Sequence, residues 1–130
     1  MPKILIADDE AYTVRVISMW LRQHGYDIVE ASDGAQALEI LDHQTVDLII
    51  SDMNMPGING LELIRVVREE RGIDVPFLLL TARCDQEKLS EQMEPYHVHL
   101  YPKPFVPSRL VADIDRLLNS AVTQELANVD

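Results

Sequence analysis

Four short stretches carry side chains that could do chemistry together: Asp8-Asp9-Glu10, Ser51-Asp52, Thr81-Ala82 and Lys103-Pro104. Each stands just past an apolar run, respectively Ile4 to Ala7, Leu48 to Ile50, Phe77 to Leu80 and Val98 to Tyr101. Singly, an aspartate or threonine in such a place is ordinarily a turn residue or helix cap, and a lone lysine is solvated. As a set they would bring carboxylates, a hydroxyl and an ammonium to one edge. Two carboxylates about 4 Å apart repel by roughly 4 kcal/mol at an effective dielectric near 20, so Asp8, Asp9 and Asp52 need a cation to stay ionised together. All-oxygen donors with room for water and phosphate oxygens suit Mg2+, whereas zinc would want a Cys or His cluster. Cys84 is the only cysteine and has no neighbouring base or second thiol to make it a nucleophile or ligand. His97 and His99, two apart, would share one face of a strand, and without a third ligand they read as edge or surface residues.

The elements that must position these groups follow from hydrophobic periodicity. With Ile28-Val29, the apolar runs make five strands, and those apolar on both faces (the first, third and fourth) suit the centre of a covered parallel sheet. Helical stripes lie between and after them: Val14, Ile17 and Leu21; Leu38 and Leu41; Leu61, Ile64 and Val67; a weaker one at Leu89 and Met93; and Leu110, Ile114, Leu117 and Leu118. Gly25, Gly34, Gly57, Gly60, Gly72 and Pro76 punctuate the segments, and Pro107 suits a first helical position. Strict alternation in so short a chain predicts a doubly wound α/β domain, a five-stranded parallel sheet with helices on both faces. Such sheets bind ligands outside the carboxyl ends of their strands, where all four candidate stretches fall.

Bulk properties narrow the classes. The chain has 130 residues, 47% of them apolar, enough for one domain with a core. Its net charge of -11 would repel a nucleic-acid backbone, which argues against direct DNA or RNA binding. A single cysteine permits no internal disulfide, and Asp8 closes the first apolar run far short of a signal peptide or membrane span. A cytoplasmic, soluble protein is the expectation, with no membrane partner.

The segments ILIADDE at 4–10, DLIISDMNMPG at 47–57 with Gly60, Thr81-Ala82 and KPF at 103–105 resemble the receiver domain of two-component response regulators. ASDG at 31–34, followed by Ala37-Leu38, resembles the start of that family's second helix. The resemblance covers residues 3 to about 119. It implies a flavodoxin-like strand order 2-1-3-4-5, a receiver over residues 1–119, and residues 120–130 as a helix extension, linker or frayed tail. It further implies that Asp52 is the phosphoacceptor, that Asp8, Asp9, Asp52 and the backbone carbonyl of Asn54 hold Mg2+, and that Thr81 and Lys103 contact the phosphoryl oxygens. The implied donor is a phosphohistidine on a sensor histidine kinase or histidine phosphotransfer protein. The implied action is a conformational switch controlling a C-terminal effector domain, a homodimer or another partner, with no turnover of an external substrate.

Two departures from the family pattern stand out. Three positions before the lysine the family usually carries an aromatic residue that moves with the threonine; here Leu100 holds that place and the aromatic is Tyr101. A one-residue shift points a strand side chain to the opposite face unless Pro102 makes a bulge. A Gly-Ala pair usually precedes the fifth strand, whereas this chain has Met93 to His97, with Pro95 expected to end the fourth helix. Competing readings are an aspartate-nucleophile phosphatase of the haloacid-dehalogenase type, a flavodoxin-like phosphate-binding module, and a degenerate receiver serving as a protein-binding scaffold. The first wants an aspartate where Asn54 stands, Asp8-Asp9-Glu10 would repel the bound phosphate of the second, and the full acid, hydroxyl and amine set argues against the third.

Overall fold

The computed structural model describes residues 1–82 and 86–127, and Cys84 falls outside them. Five strands, β1 (Lys3–Ala7), β2 (Asp27–Ala31), β3 (Leu48–Asp52), β4 (Phe77–Ala82) and β5 (Val98–Lys103), alternate with α1 (Ala11–Gln23), α2 (Gly34–His43), α3 (Gly60–Arg65), α4 (Gln86–Met93) and α5 (Pro107–Ala127). The strands form one all-parallel sheet in the order β2-β1-β3-β4-β5. The runs apolar on both faces are its three central strands, and the two edge strands are only partly buried. This is the flavodoxin-like arrangement.

Alternation along each strand feeds two cores. Leu5, Ala7, Ile49, Phe77 and Leu79 pack with Ala37 of α2, Leu63 and Ile64 of α3, and Leu89 and Met93 of α4. The intervening Ile4, Ile6, Leu48, Ile50, Leu78 and Leu80 pack on the other face against Val14, Ile17 and Leu21 of α1 and Leu110, Val111, Ile114 and Leu118 of α5. Each fully buried Leu, Ile, Val, Phe or Met side chain among them contributes roughly 1.5–3 kcal/mol of transfer free energy. Polar groups fix where helices start: Asp33 Oδ1 accepts from the Gln36 N–H at 2.8 Å and Asn59 Oδ1 from the Glu62 N–H at 2.9 Å, both N-caps.

Helix α3 continues as a π-helical turn over Val66–Glu70. From that turn the Arg68 guanidinium donates to the carbonyls of Ile73, Val75 and Tyr96 at 2.7–2.9 Å and more loosely to His97 at 3.4 Å, tying the loop before β4 to the loop before β5. Helix α4 stops at Met93, and Glu94–Tyr96 form a 3-10 turn containing Pro95, as its missing amide requires. His97 corrects the pairing expected with His99. It precedes β5, in the left-handed region at φ 55°, so the two histidines do not lie on one strand face.

Helix α5 runs without interruption past residue 119 to Ala127, about 31 Å at 1.5 Å per residue. Leu118 is its last residue in the core among the described side chains. No helix among the described residues is long and apolar enough to cross a membrane.

Candidate functional site

Asp8 and Asp9 lie just past β1, Asp52 ends β3, Thr81 lies near the end of β4 and Lys103 ends β5, so the sheet's carboxyl edge gathers them. Parallel register sets their depth: Ala7 lies beside Ser51, Asp52 beside Leu80, and Ala82 beside Lys103. Gly60 lets α3 start against this edge. Its N–H donates to the Met53 carbonyl at 2.9 Å, and a Cβ there would come within 2.6 Å of the Asp52 carbonyl oxygen and 2.7 Å of Leu79 Cδ1.

Carboxylate oxygens of Asp8, Asp9 and Asp52 lie within 4.8 Å of one another. Asp8 and Asp52 are buried, at 2% and 7% exposure, and Asp9 is exposed. Asp8 Oδ1 accepts from the Glu10 N–H at 2.9 Å, but the buried Oδ2 has no hydrogen-bond partner. Burial first, with the Asp52 and Asp9 charges behind it, pushes the Asp8 carboxyl up to about 6, against the pull of the Glu10 N–H and Lys103. An acidic cluster with an orphaned buried oxygen fits a divalent cation. Its donors are hard oxygens, suited to Mg2+.

Lys103 Nζ stands 2.5 Å from Asp52 Oδ1. Burial alone would lower the ammonium's pKa, but the hydrogen bond and charge of Asp52, with Asp8 and Glu10, outweigh it and raise the value. Thr81 is 3% exposed, and its hydroxyl lies 3.2 Å from the Ala82 carbonyl and 3.3 Å from Met53 Sδ. Asn54 is exposed in the loop after β3.

Strand β5 keeps an unbroken register with β4 from Val98 to Lys103, without a bulge at Pro102. Leu100 therefore packs on the side of α3 and α4 with Leu79, and Tyr101 on the side of α1 and α5 with Leu78 and Leu80. The Tyr101 hydroxyl donates to Asp113 Oδ2 on α5 at 2.7 Å. Sequence reading found neither this bond nor the Met53 contact of Thr81, because each joins distant segments. Only the alternation of β5 hinted at the first.

Comparison with known proteins agrees with this architecture. The family model "Response regulator receiver domain" matches residues 4–115. The DNA-binding response regulator MtrA of Mycolicibacterium paratuberculosis is 35% identical over 112 residues, 86% of this chain and 49% of that protein. The phosphate regulon transcriptional regulatory protein PhoB of Pseudomonas aeruginosa is 35% identical over 116 residues, 88% of this chain and 51% of that one. Among solved structures, the chemotaxis response regulator CheY4 of Vibrio cholerae superposes with a TM-score of 0.82 at 32% identity, covering 90% of this chain and 98% of that one. The chain belongs to the receiver-domain family of two-component response regulators. It spans about half the length of the curated relatives it matches.

Proposed function

We propose that this receiver accepts a phosphoryl group on Asp52 from a phosphohistidine of a sensor histidine kinase or histidine phosphotransfer protein. The observation that carries the reading is the cluster of Asp8, Asp9 and Asp52 with an unpartnered Asp8 oxygen and the Lys103 ammonium on Asp52. Asp8, Asp9, Asp52 and the Asn54 carbonyl would hold Mg2+, which when bound neutralises charge on the transferring group. An Asp52 carboxylate oxygen attacks phosphorus, an O–P bond forms, and the N–P bond breaks with its electron pair leaving on the donor imidazole. Lys103 then follows a phosphoryl oxygen, and the Thr81 hydroxyl leaves Met53 Sδ and the Ala82 carbonyl for another, the thioether sulfur being only a weak acceptor. The new contacts favour one of two arrangements of the surrounding loops, so the domain acts as a switch, with no turnover of an external substrate.

On this reading residues 1–119 are the receiver and 120–130 extend α5 toward a dimer partner or a C-terminal effector domain, in a cytoplasmic protein. The relatives' double length favours an effector, and the names of MtrA and PhoB place DNA binding and transcriptional regulation in those proteins. The -11 charge keeps nucleic acid away from this part. Acetyl phosphate or phosphoramidate with Mg2+ is expected to give a base-labile adduct of one phosphoryl group by intact mass. The adduct should be lost in Asp52→Asn and with excess chelator. Its persistence in that variant would overturn the assignment, and its absence from the wild type would leave a protein-binding scaffold.

A further inference from the structure

We propose that this domain couples its phosphorylation site to α5 through Lys103, Tyr101 and the Tyr101–Asp113 hydrogen bond, in place of an aromatic residue that follows the threonine. The inference rests on the phosphoacceptor reading of Asp52. Lys103 and Tyr101 are two residues apart on β5, so both project to the face of the sheet that α1 and α5 cover. Asp52, on the same alternation as Leu48 and Ile50, projects to that face as well. Thr81 and Leu100 belong to the opposite face. Leu100 has no polar group with which to follow the threonine.

Tyr101 has such a group. Its hydroxyl is bonded to Asp113, whose other carboxylate oxygen pairs with Arg116 one turn on. Burial holds the phenol above its ordinary pKa, against Arg109 and Arg116, so it remains a donor. At rest Lys103 contacts the Asp52 carboxylate directly. A phosphoryl group places phosphorus between that carboxylate and the oxygens the ammonium would follow, and on this proposal the end of β5 moves outward with the lysine. Hydrogen bonds weaken steeply with distance and angle, so movement two residues back loosens the tyrosine from Asp113. A groove of about 330 Å³ lined by Leu78, Tyr101, Asp113, Arg116 and Leu117, among others, gives the ring room to move.

A second bond supplies the control. Tyr26, ahead of β2 on the far edge of the sheet, donates to Asp115. Residues 113 and 115 lie about 200° apart around the helix, so the two tyrosines hold opposite flanks of α5. Only Tyr101 shares a strand with a site residue.

The test is amide hydrogen exchange and chemical-shift mapping of the full chain, with and without beryllofluoride and Mg2+, in wild type, Tyr101→Phe, Asp113→Asn and Tyr26→Phe. In the wild type, addition should speed exchange of α5 amides between 108 and 118 by roughly fivefold, the scale of one hydrogen bond. In Tyr101→Phe and Asp113→Asn, α5 should already exchange faster and not respond further, while the amides of Asp52, Met53 and Thr81 still shift. Tyr26→Phe should loosen α5 yet keep the response. A full α5 response in Tyr101→Phe, an equal loss in Tyr26→Phe, or a wild-type response confined to α4 and Leu100 would each overturn the route while leaving the site reading intact. Unchanged Asp52 and Met53 shifts in the wild type would overturn both.

Discussion

Replacing Asp8 by Asn should stabilise the protein in the absence of divalent cations. The Asn Oδ1 can keep the bond from the Glu10 N–H, while the negative charge beside Asp52 and Asp9 disappears. The magnitude follows from the Asp8 carboxyl, raised from 3.8 to about 6 by burial first and by its acidic neighbours. Two units or so correspond to about 3 kcal/mol, an upper bound because water entering beside Asp9 screens the pair. Between those two values the folded protein holds a proton that the unfolded chain has released. Stability lost to this group therefore grows as pH rises from about 4 and is complete above about 6. Urea unfolding of wild type and Asp8→Asn at pH 7 in chelator should show the variant more stable by about 1–3 kcal/mol, with the gap closing toward pH 4. Mg2+ should stabilise the wild type in proportion to RT ln(1 + [Mg2+]/Kd), and the variant little or not at all. A variant less stable than wild type at pH 7 in chelator, or a gap that does not change with pH, would refute strain among these carboxylates.

Gly60→Ala should cost about 1–3 kcal/mol by overpacking, because the added methyl group meets the Asp52 carbonyl and Leu79. It should also slow adduct formation with acetyl phosphate, since the end of β3 must shift; normal stability and labelling would contradict that tight contact. Deleting residues 120–130 should leave phosphorylation unchanged and, if α5 carries self-association, lower the mass measured by light scattering at high concentration with beryllofluoride. An unchanged mass would leave the segment to the linker role.

Much of the architecture was legible because its causes are local. Ile4 to Ala7, Leu48 to Ile50 and Phe77 to Leu80 are apolar at every position, as suits a short strand covered on both faces, and these became the three central strands. Pro95 has no amide to donate and α4 ends two residues before it; Pro107 fits a first helical position and opens α5. Parallel crossovers then force every strand's carboxyl end to one edge, so the order of the segments alone brings Asp8, Asp52, Thr81 and Lys103 together. What the chain alone could not reveal depends on partners far away in sequence and on the depth of burial. Asp8 Oδ2 is orphaned only because packing closes over it, and Thr81 rests on Met53, 28 residues earlier. His97 takes a left-handed turn that no strand pattern anticipates. Tyr101 could face α5 or the opposite side according to one residue of register. The ladder with β4 decided it, since a strand's side chains alternate and the unbroken pairing leaves no extra residue to reverse them.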